Sequence, residues 1–217
     1  MPRKCSSQTV SEFMRYGLRF ETQEEIVENT PLIFACKRGD ETQVQQLVEN
    51  GADIQQTNFF GETPLYIASM NGYAECTRIL LENGADANYA RYENDVVRPL
   101  YWTCVRGNVE CIRLLLKYGA NVNKSQADGQ TPLSASCKRG YAECVRVLLD
   151  NGADVNTVDD TGNTPLIIAC KGGYVVCMEL LLTCNADMNM RNKDGKNALC
   201  IAKEKEYNVC IRILLEA

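Results

Sequence analysis

Apolar and polar positions follow one pattern that returns about every 33 residues along most of the chain. Residues 131–163 are typical. Thr131 and Pro132 suit the start of a helix, and Gly140 suits its left-handed end. A second apolar stretch with one polar stripe then predicts a second helix. The polar segment 153–163 is rich in Asx and Gly, which favours an extended turn. Each repeat therefore predicts a first helix, a turn, a second helix and a protruding finger.

Two short strings mark the repeats. Thr-Pro-Leu occurs at residues 30–32, 63–65, 131–133 and 164–166, with variants at 98–100 and 197–199. The prolines of the first five copies are 33, 35, 33 and 33 residues apart. Strings of the type ENGAD follow at residues 49–53, 82–86, 117–121, 150–154 and 184–187. Two strings in constant phase over successive units predict a solenoid of stacked units.

The strings resemble the ankyrin-repeat family, whose pattern is GxTPLHxAA, a glycine, a second helix that ends in LL, and GADVN. GNTPLIIACKGG (162–173) and VLLDNGADVN (147–156) carry the resemblance. It extends over residues 25–217 and implies an all-α solenoid of stacked helix-turn-helix units with hairpin-like fingers. We expect six units, the last one degenerate. Their starts lie near Glu25, Asn58, Glu93, Gln126, Asp159 and Asn192.

Both ends of the array differ from the family pattern. Residues 11–20 resemble a second helix, so we expect the N-terminal segment 1–24 to cap the first unit. The last unit lacks the proline and the central glycine, and its charged residues 203–206 suit an outer cap. The family's usual histidine after TPL is absent from every unit, so its hydrogen bond to neighbouring repeats is replaced or lost. The residues at that position are Ile33, Tyr66, Tyr101, Ser134, Ile167 and Cys200.

Composition excludes several classes of function. The 217 residues are 45% hydrophobic and 24% charged, as in soluble proteins, and apolar runs such as 166–170 are too short to span a membrane. The N-terminus has no apolar stretch that could serve as a signal peptide, so we expect a cytoplasmic or nuclear location. The net charge of −5 disfavours nucleic acid as the main partner.

Catalysis has no support in the sequence. The chain contains no histidine, which excludes Ser–His and Cys–His pairs and most transition-metal sites. It has neither a phosphate-binding GxxxxGK[ST] loop nor a GxGxxG string. We therefore expect no enzyme activity, no cofactor and no bound metal.

The twelve cysteines lack CxxC spacing, and nine of them occupy one position in the first helices or one in the second. Free cysteine packs as a small apolar residue, so we expect these nine in the core. A ladder of thiolates around a metal is the alternative. Cys5 and Cys184 are the candidates for exposed thiols. In the family the asparagines of the GADVN string are sometimes hydroxylated. Here they are expected to bond the finger backbone; they are Asn88, Asn123, Asn156 and Asn189.

The candidate binding residues are those that vary between units. The resemblance implies a concave face, formed by first helices and fingers, that binds a partner. The basic candidates are Lys37, Arg38, Arg106, Lys138, Arg139 and Lys171. The aromatic candidates are Phe59 and Phe60 on the second finger, Tyr92 on the longer third finger, and Trp102. As alternatives, the basic residues only complement helix dipoles, the two phenylalanines fold back onto Tyr66 or the N-terminal cap, and Trp102 packs in the core.

Three functions remain possible at this stage. The first is a monomeric interaction module or adaptor whose protein partner offers acidic and apolar side chains. The second is a regulatory or targeting segment of a larger enzyme. The third, a redox-responsive structural protein, would require accessible cysteines of low pKa.

Overall fold

The computed structural model describes residues 29–90 and 98–217, which form twelve helices in six consecutive pairs and no strand. The predicted all-α class is confirmed. The first helices of the pairs are α1 (Pro31–Arg38), α3 (Pro64–Asn71), α5 (Pro99–Arg106), α7 (Pro132–Arg139), α9 (Pro165–Gly172) and α11 (Ala198–Glu204). The second helices are α2 (Glu41–Glu49), α4 (Ala74–Glu82), α6 (Val109–Lys117), α8 (Ala142–Asp150), α10 (Val175–Thr183) and α12 (Asn208–Glu216).

Local cap chemistry sets the ends of the first helices. In α7 the Thr131 hydroxyl accepts from Ser134 N at 3.2 Å, and Ser134 Oγ accepts in return from Thr131 N at 2.9 Å. Pro132 occupies the first helical position, where no N–H is needed. Gly140 ends the helix in the left-handed region with φ 73°. The cap positions predicted for this unit are therefore confirmed.

Contacts between like helices build the stack. Each first helix packs against the first helix of the next unit, and each second helix packs against the next second helix. Leu65, Leu133 and Leu166 are almost fully buried in the continuous core that results. The nine cysteines at the two repeated positions are also buried, as predicted: Cys36, Cys76, Cys104, Cys111, Cys137, Cys144, Cys170, Cys177 and Cys210.

The asparagines that follow the second helices connect neighbouring units. Asn123 Nδ2 donates to Gly152 O at 3.1 Å, and its Oδ1 accepts from Asp154 N at 2.8 Å. Asn88 bonds the third unit in the same way, through Gly119 O and Asn121 N. These side chains thus bond backbone, as expected, but the backbone belongs to the following unit.

The residues at the family's histidine position make different contacts from one unit to the next. Tyr101 OH donates to Gln130 Oε1 at 3.4 Å, so one hydrogen bond between units is replaced. Ser134 bonds only its own helix start, and Ile33 and Ile167 are buried apolar side chains. At these positions packing or a local bond takes the place of the polar link.

Several predictions lie outside the described residues. They are the capping helix within 1–24, the unit starts near Glu25 and Glu93, the exposure of Cys5, and Tyr92. In the part of the chain that is described, no helix has the length and apolar character needed to cross a membrane.

Candidate functional site

The six basic candidates lie on one side of the stack, which we call the first-helix face. Each occupies the last turn of a first helix, just before the glycine that ends it, and all six side chains are exposed: Lys37, Arg38, Arg106, Lys138, Arg139 and Lys171. Positive charge at this end of a helix is favourable because it opposes the partial negative charge of the unpaired carbonyls. The position therefore tolerates cations whether or not a partner binds them.

Three of the four arginines on the described second helices form ion pairs with neighbouring glutamates. Arg78 forms ion pairs with Glu75 and Glu82 on its own helix. Arg113 reaches across to Glu143 of the next unit at 2.6 Å, and Arg146 Nε lies 3.3 Å from the same carboxylate. These pairs neutralise the arginines of α4, α6 and α8, whereas Lys117 and Arg212 on the same side have no ion pair among the described residues.

Four basic candidates have no such partner. Within residues 29–90 and 98–217, no ion pair or hydrogen bond involves the side chains of Lys37, Arg106, Lys138 or Arg139. Their charge is directed toward solvent. The first-helix face therefore carries free positive charge on a chain whose net charge is −5.

The other two basic candidates are already engaged. The Arg38 guanidinium lies 4.5 Å from the centre of the Phe34 ring on its own helix. Lys171 Nζ donates to Asn163 Oδ1 at 2.7 Å, and Asn192 Nδ2 donates to the same oxygen at 3.1 Å. Lys171 is thus part of the network that joins the fifth and sixth fingers.

Phe59 and Phe60 form an exposed apolar tip on the second finger. Their side chains are 65% and 54% exposed, and the two rings meet edge to face with centroids 5.6 Å apart. Asn58 Oδ1 holds the tip in place by accepting from Phe60 N at 3.0 Å. The exposure of both rings argues against a pair folded back onto Tyr66, and the N-terminal cap, the other predicted contact, lies outside the described residues.

Trp102 is intermediate between the two predicted alternatives, a partner contact and a core residue. It is half-buried, packs against the core, and meets the Tyr101 ring edge to face with centroids 5.6 Å apart. Burial, and to a lesser extent the charge of Asp128, raises the pKa of Tyr101, while Arg139 opposes the shift. Sequence reasoning missed this link between Tyr101 and the fourth unit, although a tyrosine at the histidine position was the available signal.

The buried thiols are poor nucleophiles. Burial raises the pKa of Cys144 to about 11 and that of Cys170 to about 12, so both remain protonated near neutral pH. Cys184 is exposed and Cys200 is half-buried. Among the described residues no three Cys, Asp or Glu side chains come together as a set of metal ligands. The nine buried thiols do not provide the accessible, low-pKa cysteines that a redox-responsive role requires.

Comparisons with known proteins agree with this architecture. The sequence matches a family described as ankyrin repeats (three copies) over residues 3–91, 91–159 and 152–217. A crystal structure of an ankyrin repeat domain from Acinetobacter baumannii AYE is 28% identical, with a TM-score of 0.79, 86% of this chain covered and 96% of the other. The ankyrin repeat domain of Bcl-3, a member of the IkappaB family, is 26% identical, with a TM-score of 0.77 and coverages of 87% and 86%.

The ankyrin repeat protein EF0377 gives similar values, with 27% identity, a TM-score of 0.79 and coverages of 86% and 96%. No curated protein matches the chain.

Proposed function

Because the chain belongs to the ankyrin-repeat family, whose repeats are protein–protein interaction modules, we propose that it is a non-catalytic adaptor that binds a partner through its first-helix face. One observation carries this proposal. Arg106, Lys138 and Arg139 are exposed and unpaired on that face, whereas Arg113 and Arg146 on the opposite side are held by Glu143.

The arrangement favours a partner with acidic and apolar side chains. Neighbouring cations repel one another, and carboxylates of a partner would relieve that repulsion. The exposed Phe59–Phe60 tip offers apolar area that a partner would remove from water. Trp102, half-buried beside Tyr101, is a further candidate contact, and Tyr92, which lies outside the described residues, stays a candidate from the sequence alone.

We further propose a monomeric module, with residues 25–217 as the repeat domain and residues 1–24 as its cap. A cytoplasmic or nuclear location is supported by the nine buried cysteines, because free thiols suit a reducing compartment.

Affinity capture with charge-matched variants tests the proposal. The full chain, the double variant Lys138→Glu with Arg139→Glu, and a control with Lys117→Glu and Arg212→Glu would serve as baits for quantitative mass spectrometry. The control makes the same change in net charge on exposed second-helix residues. We expect proteins captured by the wild type to be retained by the control and lost from the first variant.

Circular dichroism would confirm that all three baits are folded. Equal capture by wild type and by the Lys138/Arg139 variant would contradict the proposal, because the partner would then use another surface.

A further inference from the structure

We infer that the partner presents an extended acidic peptide segment, with an apolar residue on the Phe59–Phe60 tip and carboxylates about three residues further along at Arg106 and about six residues further along at Lys138 and Arg139. This inference rests on the proposed function and specifies the chemistry of its partner. It follows from how apolar surface and free charge are distributed over successive units.

Apolar character is confined to one of the described finger tips. The second finger carries Phe59 and Phe60, whereas the tips of later fingers are polar: Asp128, Asp160, Thr161, Lys193 and Asp194. These later tips are also bonded to one another through backbone, since Asp160 N donates to Asp128 O and Lys193 N to Thr161 O, each at 3.0 Å. An apolar anchor on a partner is therefore best accommodated at the second unit.

Free positive charge is concentrated one and two units further along the stack. At the ends of the first helices the second unit carries the neutral pair Met70–Asn71, and the third and fourth units carry Arg106 and Lys138–Arg139. In the fifth unit Lys171 is bonded to Asn163. In the sixth, Glu204 is paired with Lys196 at 2.8 Å, and the exposed Lys203 and Lys205 alternate along the chain with Glu204 and Glu206. The third and fourth units thus carry three unpaired cations at their first-helix ends with no acidic residue beside them in the sequence.

The alternative is a segment that runs from the second unit toward the first. Lys37 is unpaired there, but Arg38 already lies over Phe34, so the described residues of the first unit supply one free cation against three in the third and fourth units. Charge complementarity therefore favours a segment that runs from the second unit toward the fourth.

The positions also fit the length of one extended segment. Packed helices lie about 8–10 Å apart, so one step along the first helices covers about 8–10 Å and two steps cover about 16–20 Å. An extended chain advances about 3.3 Å per residue, so about three residues span the distance to the third unit and about six span the distance to the fourth. Side chains on a helix lean toward its N-terminus, and Lys171 reaches the finger base in this way. Lys138 occupies the position equivalent to Lys171, so its side chain is long enough to reach toward the fingers, where the phenylalanine pair is, while Arg106 and Arg139 lie one residue nearer the helix end.

Peptide display on the immobilised full chain tests the inference. We expect random peptides enriched on the wild type to contain an aromatic or aliphatic residue with acidic residues about three and about six positions away. Selection on the Phe59→Ala/Phe60→Ala variant should lose the apolar preference alone. Selection on the Lys138→Glu/Arg139→Glu variant should lose the acidic preference alone.

Binding of one enriched peptide, followed by fluorescence anisotropy, makes the test quantitative. Each double variant should weaken binding about tenfold or more, and so should shortening the peptide between its apolar and acidic residues. The Lys117→Glu/Arg212→Glu variant makes the same change in charge as the Lys138/Arg139 variant on exposed second-helix residues, and it should bind within about twofold of wild type. The Lys37→Glu/Arg38→Glu variant tests the opposite direction along the first-helix face and should weaken binding less than the Lys138/Arg139 variant does.

The outcomes separate the two proposals. If shortening the peptide between its apolar and acidic residues leaves the affinity unchanged while both site variants still lose binding, the inference of an extended segment is wrong and the proposed function stands. If the Lys37/Arg38 variant alone loses affinity, the assigned direction is wrong. If peptides bind every variant equally, the first-helix face is not the site and the proposed function fails as well. Displacement by a single-stranded oligonucleotide at equal concentration would overturn the choice of a peptide partner.

Discussion

Tyr174, at the start of the fifth second helix, lies with its ring directly against Gly140 of the preceding unit. A Cβ atom added to Gly140 would be 2.5 Å from Tyr174 Cδ1, a separation that no real side chain tolerates. The same relation links Gly39 to Tyr73 and Gly107 to Tyr141. Glycine is therefore required at this position for two reasons: the backbone is left-handed, and the aromatic ring of the next unit leaves no room for a Cβ atom.

Replacing Gly140 by Ala should destabilise the stack strongly. Gly152 is the matched control, because its φ of 81° resembles the 73° of Gly140 but no atom lies within 4 Å of its added Cβ. Gly152→Ala should cost about 1–2 kcal/mol for the left-handed backbone alone. Gly140→Ala should cost more, because the Tyr174 ring must also move. Urea unfolding measures both changes, and equal costs would show that the ring contact contributes nothing.

Gln126→Asn should stabilise the fourth finger. Asn192, at the equivalent position, accepts from Asp194 N and Lys196 N through Oδ1. Gln126 is one methylene longer, and its buried Oε1 and Nε2 have no hydrogen-bond partner among the described residues. Because a buried unpaired amide costs about 1–3 kcal/mol, we expect the shorter side chain to raise the free energy of unfolding by about 1 kcal/mol.

The reverse change provides the control. Asn192→Gln should lower the free energy of unfolding, since it breaks both turn bonds and the bond to Asn163. If Gln126→Asn lowers stability instead, the glutamine has a role in the folded chain that its surroundings do not reveal.

These cases show how far the sequence could predict the structure. The helix bounds of the 131–163 unit were predictable because Thr131, Pro132 and Gly140 act on their own backbone. The Tyr174–Gly140 and Arg113–Glu143 contacts join residues about 30 positions apart, and only the register of stacked units brings them together. That the basic residues share one side of the stack was predictable, because they recur at the same positions of successive repeats. Which of these cations remain unpaired was not predictable, because it depends on side-chain contacts.

Asn123→Ala should weaken the junction between the third and fourth units. Its amide makes two hydrogen bonds to the backbone of the next unit, with Gly152 O and Asp154 N. Because each bond contributes about 0.5–1.5 kcal/mol, we expect a loss of about 1–2 kcal/mol in urea unfolding. Asn189→Ala is the control, since no side-chain bond of Asn189 to a following unit occurs among the described residues. A cost as large at Asn189 would mean that the link between units is not the cause.

Stability should fall in alkaline solution because of the buried thiols. The pKa of Cys144 is raised from 9.0 to about 11 by burial, so the folded chain holds its proton more tightly than the unfolded chain. The stabilisation is complete below pH 9 and is lost as the pH rises through 11. As the pH rises across this range, the free energy of unfolding should fall less steeply for Cys144→Ala than for wild type. The two slopes should differ by up to about 1.4 kcal/mol per pH unit. Identical slopes would show that Cys144 already titrates normally in the folded chain.

The two parts of the binding surface should affect different rate constants. Exposed charges act mainly on encounter, so Lys138→Glu with Arg139→Glu should slow association and flatten its dependence on salt. An apolar contact acts after encounter, so Phe59→Ala with Phe60→Ala should mainly speed dissociation. Surface plasmon resonance with the captured partner, at low and physiological salt, separates the two effects. The Lys117→Glu/Arg212→Glu variant controls for net charge and should retain both wild-type rates, because its substitutions lie on the second-helix side. If that control slows association as much as the Lys138/Arg139 variant does, the partner senses only the overall charge of the chain, and the free cations of the first-helix face do not form a specific site.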